Sequence, residues 1–89
     1  MGTKGKADFD SFSVQKKSNK LMLLNDNHNS FEHVITSLIQ VCGHNPHQAE
    51  QCAIIVHHKG ECDVKVGSID DILPKYNALK EEGLTVEIR

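Results

Sequence analysis

Two polar segments of this chain, about thirty residues apart, carry the side chains best suited to hold a small cation. Asn25 and Asp26 close the apolar run at residues 21–24, and His57 lies where a second predicted helix ends. An amide, a carboxylate and a neutral imidazole all accept hydrogen bonds, so the three side chains together suit an ammonium group. If folding joins the two segments, they form one recognition site.

Composition and spacing alone favour a simpler interpretation of the same residues. Asn and Asp side chains bond to their own nearby backbone, so Asn25 and Asp26 suit an Asx-type turn. A histidine in the last turn of a helix interacts with the final carbonyl groups, so His57 suits a helix end. These residue types by themselves therefore do not decide between a turn and a binding site.

Metal binding and catalysis are the other chemistries that the composition suggests, because the chain holds six histidines and three cysteines. No two histidines have the i, i+4 spacing of a helical zinc motif, and no CxxC pair is present. Nothing in the sequence places a thiol beside a base. We therefore expect surface histidines, buried small thiols, no disulfide framework, no metal or cofactor, and no enzymatic activity.

Length and charge limit the class of protein. With 89 residues the chain suits one small domain. Residues 1–20 hold five Lys and two Asp, a balance of +3 in a chain of net charge −2, which leaves −5 for the remainder. We predict a flexible N-terminal extension at 1–18 and a core domain at 19–89. The core lacks the dense basic face and the aromatic residues that nucleic-acid binding needs.

The chain shows neither a membrane-length apolar run nor the apolar segment of a signal peptide. We therefore expect a cytoplasmic protein that does not contact a membrane. Hydrophobic periodicity predicts the element order β-α-α-β-α-β, an α+β fold in which three strands form one small sheet packed against helices.

The ends of the first two helices are marked by capping residues. Asn29 suits the N-cap of the first helix, with Glu32 three residues later completing a capping box. Asn45 and Pro46 predict the start of the second helix, and Gly60 predicts its end.

The third helix contains one residue that breaks the local rule. Ser68 predicts its N-cap and Gly83 its end, but Pro74 removes a backbone hydrogen bond in between. Either residues 68–73 form a separate turn or the helix is kinked. Leu84, Val86 and Ile88 then alternate with polar residues and predict the third strand.

Four segments together resemble the ClpS family of Clp protease adaptors: MLLND at 22–26, FEHV at 31–34, QA at 48–49 and VHHKG at 56–60. In that family an MLLND segment precedes an M-E-F-V helix start, and a V-H-x-x-G segment ends the second helix. The likeness spans residues 20–89 and implies a small three-stranded antiparallel sheet packed against three helices.

The resemblance also implies a function, and it favours the binding site over the simple turn. Family members are adaptors without catalytic activity that bind proteins with N-terminal Leu, Phe, Tyr or Trp and deliver them to a Clp ATPase, and we expect this chain to be a monomer. The family residues that hold the free α-amine and first peptide group match Asn25, Asp26 and His57. The side-chain pocket matches five further positions: Asn27, Asn29, Phe31, Ala53 and Val56.

Several positions depart from the family pattern. A common Asp is Asn27 here, the usual Thr cap is Asn29, and the usual Pro is Ser30. A Met that gates the family pocket is Phe31, and another pocket Met aligns with Ala53. Phe31 should narrow one side of the pocket while Ala53 opens another, so the preference among the four N-terminal residues is left open.

Docking on the N-terminal domain of the ATPase would use Asp70 and Lys75, which match an acidic and a basic residue of the family's third helix. Pro74 lies between them and could alter that face. The family's N-terminal extension, which helps deliver cargo, corresponds to residues 1–18. The alternative is a ClpS-like interaction domain that docks on a Clp ATPase or another partner without binding a degron.

Overall fold

The computed structural model describes residues 18–89, so the predicted extension lies almost entirely outside the described residues. Three helices and three strands follow in the predicted order β-α-α-β-α-β, which confirms the α+β fold. They are β1 (Asn19–Leu24), α1 (Phe31–Cys42), α2 (Pro46–Lys59), β2 (Glu61–Gly67), α3 (Ile69–Glu81) and β3 (Val86–Ile88). No helix in this described part is long and apolar enough to cross a membrane.

The sheet is antiparallel throughout, and the first strand is its centre. The strand order is β2-β1-β3, with Leu24 opposite Glu61 on one side and Leu23 opposite Val86 on the other. A strand between two neighbours is shielded from water, which explains why residues 21–24 of β1 are a continuous apolar run without polar alternation. The exit of β1 is therefore flanked by the segments that begin β2 and precede β3.

Most predicted helix boundaries are confirmed. Asn45 caps α2 by accepting a hydrogen bond from the Gln48 N–H, and Ser68 caps α3 by accepting from the Asp71 N–H. Gly60 ends α2 with φ of 93°, a left-handed conformation that other residues rarely adopt.

The predicted cap of α1 is wrong by one residue. Ser30, not Asn29, is the N-cap, and its Oγ accepts a hydrogen bond from the His33 N–H at 3.0 Å. The Asn29 side chain is engaged elsewhere, because its Nδ2 donates to Asp26 and to the Gly83 carbonyl. Ser caps helices as well as Asn does, so local preference could not separate the two positions.

Helix α3 runs through Pro74 as one helix, so residues 68–73 are not a separate turn. Its apolar face packs on the sheet and on α1 through Ile72 and Leu79, both fully buried. The helix ends at Glu81, and the chain turns at Gly83 before the short strand β3. The core joins residues of the sheet, of all three helices and of the segment before β3: Leu21, Leu23, Leu38, Ala49, Cys52, Val56, Val64, Ile72, Leu79 and Leu84.

Candidate functional site

A cavity of about 340 Å³ opens where β1 ends, between the start of α1 and the end of α2. Its volume lies in the range of about 300–1,000 Å³ that small-molecule sites occupy. All eight residues matched to the amine and side-chain sites line it, together with four apolar residues. The lining residues are Leu23, Leu24, Asn25, Asp26, Asn27, Asn29, Phe31, Val34, Ala53, Val56, His57 and Leu84.

Backbone hydrogen bonds at the exit of β1 bring the two polar segments together. The Asn25 N–H donates to the Gly60 carbonyl at 2.9 Å, which fixes the exit of β1 to the end of α2. On the other side, the Leu24 N–H donates to the Thr85 carbonyl, also at 2.9 Å. His57 lies in the last turn of α2, so the bond between Asn25 and Gly60 brings His57 and Asn25 to the same cavity.

Asp26 is the most heavily bonded side chain of the site. Its Oδ1 accepts from the backbone N–H groups of His28, at 3.2 Å, and Asn29, at 3.0 Å. Its Oδ2 accepts from Asn29 Nδ2 at 2.8 Å and from Thr85 Oγ1 at 2.9 Å. The bonds to Oδ1 are those of an Asx-type turn, so Asp26 both builds the turn and lines the cavity.

These contacts keep Asp26 ionised. Its side chain is only 13% exposed, and burial alone would raise the pKa of the carboxyl group. The hydrogen bonds from Asn29 and Thr85 and from the backbone of Asn29 and His28 outweigh burial and lower the pKa below its ordinary value of 3.8. The cavity therefore has a fixed negative charge in its wall near neutral pH.

The other acceptors at the rim remain open to solvent. Asn25, Asn27 and His57 are exposed residues that line the cavity mouth, in contrast to the bonded Asp26. The His57 ring meets the ring of His58 edge to face, with centroids 5.3 Å apart. The rim thus offers two amides and an imidazole to a ligand that carries N–H groups.

The inner wall of the cavity is apolar. Ala53, Val56 and Leu84 are each at most 6% exposed and form its floor. Phe31 lies at the rim and is 44% exposed. A deep apolar floor below a polar, negatively charged mouth suits a ligand with a hydrophobic side chain next to a cation.

Five contributors to this site were not predicted as site residues: Leu23 and Leu24 of β1, Val34, Leu84 and Thr85. Val34 follows Phe31 by three residues on the apolar stripe of α1, a spacing that indicates a shared face. Leu84 lines the cavity, and Thr85 holds the Asp26 carboxylate. The last two come from the far end of the chain, and no local pattern signals a contact across 59 residues.

The two docking residues matched on α3 do not line this cavity. Asp70 is exposed in the first turn of α3. Lys75 is half-buried, and its Nζ donates to the Val41 carbonyl near the end of α1 at 3.2 Å. Positions five apart lie about 140° apart around a helix. A partner that contacts both residues must therefore cover a broad face of α3.

The cysteines line a second cavity with His44. Cys52 is buried as predicted, whereas Cys42 and Cys62 are half-buried. Burial raises the pKa of the Cys42 and Cys52 thiols, which makes both poor nucleophiles. Across residues 18–89, no group of three or more His, Cys, Asp or Glu side chains is arranged to hold a metal ion.

The prediction that the histidines lie on the surface is wrong for His44. This residue is only 8% exposed, and its Nε2 donates to the Val64 carbonyl at 3.1 Å. His33 is half-buried, and its Nε2 donates to the Glu82 carbonyl at 2.7 Å. His33 therefore joins α1, and His44 the connection between α1 and α2, to distant backbone, a role that sequence spacing does not reveal.

Comparison with known proteins places these features in context. A family model described as ATP-dependent Clp protease adaptor protein ClpS matches residues 14–87. The solved structure of Agrobacterium tumefaciens ClpS2 bound to L-phenylalaninamide is similar, with a TM-score of 0.75 and 28% sequence identity. The similarity covers 82% of this chain and 95% of the ClpS2 chain. No curated protein sequence matches at a significant level.

The lowered pKa of Asp26 predicts a loss of stability in acid. Folding lowers this pKa, so the ionised carboxylate stabilises the fold above the ordinary value of 3.8, and the contribution disappears as the pH falls through the folded-state pKa. Asp26→Asn should lower the free energy of unfolding by about 1–3 kcal/mol near pH 7. The difference from wild type should shrink below about pH 4.

Denaturant unfolding at a series of pH values measures this difference. Asp63→Asn is the matched control, because Asp63 is exposed on β2, and it should change stability by less than about 0.5 kcal/mol. A wild-type advantage over Asp26→Asn that stays constant from neutral pH into acid would contradict the prediction.

Proposed function

Since the chain belongs to the ClpS family of Clp protease adaptors, we propose that it binds proteins with a destabilising N-terminal residue, Leu, Phe, Tyr or Trp, and delivers them to a Clp ATPase. It acts as an adaptor and not as an enzyme. The observation that carries this proposal is that one cavity combines an apolar floor with a charged mouth rich in hydrogen-bond acceptors.

The similar ClpS2 structure supports the choice of ligand. Phenylalaninamide has a free α-ammonium group next to an apolar aromatic side chain, and it is the ligand named for that protein. The same pairing of charge and apolar surface occurs at every N-terminal Phe, Leu, Tyr or Trp. An internal residue of the same type lacks the ammonium group, so a site that reads both features selects chain ends.

In this proposal the rim binds the amine. Asn25 and His57 offer exposed acceptors from two different segments of the chain, and Asp26 supplies the negative charge. An ammonium group that leaves water without finding new acceptors raises the free energy of binding, so the site disfavours ligands that present this group wrongly. A ligand without an ammonium group gains no attraction from Asp26.

The apolar floor binds the first side chain. Ala53 and Val56 on α2 face the cavity together with Phe31 at its rim, and Asn27 and Asn29 complete its polar edge. The small Ala53 leaves space in the floor, whereas the exposed ring of Phe31 offers a surface for an aromatic side chain to pack against. These features favour large side chains over small ones.

Delivery requires a second surface that contacts the ATPase. We assign this role to a broad face of α3 that includes the exposed Asp70 and the half-buried Lys75, with residues 1–18 as the segment that helps transfer cargo. Asp70 is exposed and outside the cavity, so a partner on this face leaves the proposed degron site open. A protein bound at α3 and a protein bound at the cavity can therefore be held at once.

Blocking the N-terminal amine should abolish binding. Isothermal titration with a Phe-initiated peptide should give measurable affinity, and the acetylated form of the same peptide should bind at least about tenfold more weakly. Asp26→Ala and His57→Ala should each weaken binding of the free peptide. His58→Ala is a matched control, because its ring neighbours that of His57 but does not line the cavity.

Failure of wild type to bind either peptide would contradict degron binding. The chain would then be the alternative, a ClpS-like interaction domain that docks on a Clp ATPase or another partner without reading N-termini. Equal affinity for the free and acetylated peptides would show that the amine is not the recognised group.

Filling the floor of the cavity should change which side chain is accepted. Ala53→Met adds bulk where the floor is open, so affinity for a Trp-initiated peptide should fall more than affinity for a Leu-initiated one. Ile55→Met is the control on the same helix, because Ile55 is 39% exposed and does not line this cavity. Peptides that differ only in the first residue measure the ranking, and an unchanged ranking in Ala53→Met would contradict this pocket assignment.

Charge reversal on α3 should weaken docking. Asp70→Lys should reduce binding to the isolated N-terminal domain of a Clp ATPase while leaving affinity for the free-amine peptide unchanged. Glu81→Lys, exposed at the other end of the same helix, is the control. If Asp70→Lys and Glu81→Lys bind the ATPase domain equally well, docking does not depend on this part of α3.

A further inference from the structure

The Asp26 carboxylate has no acceptor position left for a ligand. A carboxylate offers about four lone-pair sites, and the four donors on Asp26 comprise two backbone N–H groups, Asn29 Nδ2 and Thr85 Oγ1. An ammonium group that enters the cavity is therefore attracted by the charge of Asp26 but must hydrogen-bond to other groups, unless it displaces one of these donors.

We propose that Thr85 is a positioning residue of the ammonium site and that it holds Asp26 as a fixed charge. This inference rests on the proposed function and distinguishes the residue that supplies the charge from those that hydrogen-bond to the ligand. The hydrogen bonds of the ligand go to the acceptors that are open at the rim, which are Asn25, Asn27 and His57.

The backbone around Thr85 makes it suited to this role. Its carbonyl accepts from the Leu24 N–H at 2.9 Å, so the segment that precedes β3 is bonded directly to the exit of β1. Its hydroxyl then reaches Asp26 Oδ2 at 2.9 Å. Thr85 is thus bonded to Leu24, which lies two residues before Asp26. A shift of the Asp26 carboxylate away from this position would break its hydrogen bond to Thr85.

Asn29 extends the same connection to the end of α3. Its Nδ2 donates to both Asp26 Oδ2 and the Gly83 carbonyl, at 2.8 and 2.9 Å. The turn after β1 is thereby joined twice to residues 83–85. A preorganised charge needs no reorganisation when the ligand binds, so the affinity gained from it is larger than that from a mobile carboxylate.

The titratable groups around the carboxylate define how its pH response can be read. His28 Nδ1 lies 3.8 Å from Asp26 Oδ1 on an exposed ring, and His57 faces the same cavity from α2. His33 on α1 is bonded to the Glu82 carbonyl at the end of α3. These histidines are the same in wild type and in variants of Thr85, so the difference between those proteins reports the carboxylate.

Two variants of Thr85 test the proposal. Thr85→Val keeps the shape of the side chain and removes the hydroxyl, and Thr85→Ser restores a hydroxyl. In the unliganded protein, NMR titration of the Asp26 carboxyl should show a higher pKa in Thr85→Val than in wild type and a return toward wild type in Thr85→Ser. Affinity for a Phe-initiated, free-amine peptide should fall roughly three- to tenfold in Thr85→Val at pH 7 and recover in Thr85→Ser.

Below pH 5 the affinity of Thr85→Val should fall further and at higher pH than that of wild type, because its Asp26 takes up a proton sooner. An unchanged Asp26 pKa in Thr85→Val, or a Thr85→Ser variant that binds as weakly as Thr85→Val, would overturn the proposal. If wild type binds no free-amine peptide, the proposed function fails instead, and the titration of the unliganded protein still shows whether Thr85 controls the carboxylate.

Discussion

The central position of β1 is the constraint on which the candidate site depends. Because β2 and β3 pair with opposite edges of this strand, the residues that begin β2 and precede β3 must lie on either side of its exit. Two backbone hydrogen bonds, from Leu24 to Thr85 and from Asn25 to Gly60, close this arrangement. Segments from the start, middle and end of the chain thereby form one cavity.

The polar groups of the cavity divide into bonded and open ones. Asp26 is satisfied by four donors and is held in place, which keeps its charge in the wall at neutral pH. Asn25 and His57 are exposed at the rim and can exchange water for a ligand. A binding site needs both kinds of group, because fixed charge gives discrimination and accessible acceptors give direct contact.

The Asx-type turn and the ligand site are the same structure. Hydrogen bonds from the backbone N–H groups of His28 and Asn29 to Oδ1 of Asp26 form the turn. The same turn places Asn27 and Asn29 at the edge of the cavity. Two departures of this chain from the ClpS pattern lie in the walls, Phe31 at the rim and Ala53 in the floor, whereas Asn27 and Asn29 lie in the turn itself. Neither Phe31 nor Ala53 is a hydrogen-bond partner of Asp26, so these two wall positions can vary without removing a bond of the turn.

The sequence by itself determined the elements and most of their ends. Apolar periodicity predicted three helices and three strands, and the caps at Asn45, Gly60 and Ser68 are where local chemistry places them. These features depend on neighbours within one or two helical turns, so they can be read along the chain. The motif likeness pointed to eight residues that line the cavity, three of which, Asn25, Asp26 and His57, spacing alone left as a turn and a helix end.

Only the tertiary structure decided the contacts that cross the chain. Asn29 does not cap α1, because its amide bonds to the neighbouring Asp26 Oδ2 and to the distant Gly83 carbonyl, and Ser30 is the cap instead. His44 is buried against Val64, and Thr85 reaches Asp26 across 59 residues. Each of these contacts includes a hydrogen bond between residues that are far apart in the chain and that meet only after the sheet has formed. The linear sequence carries no signal for such a bond.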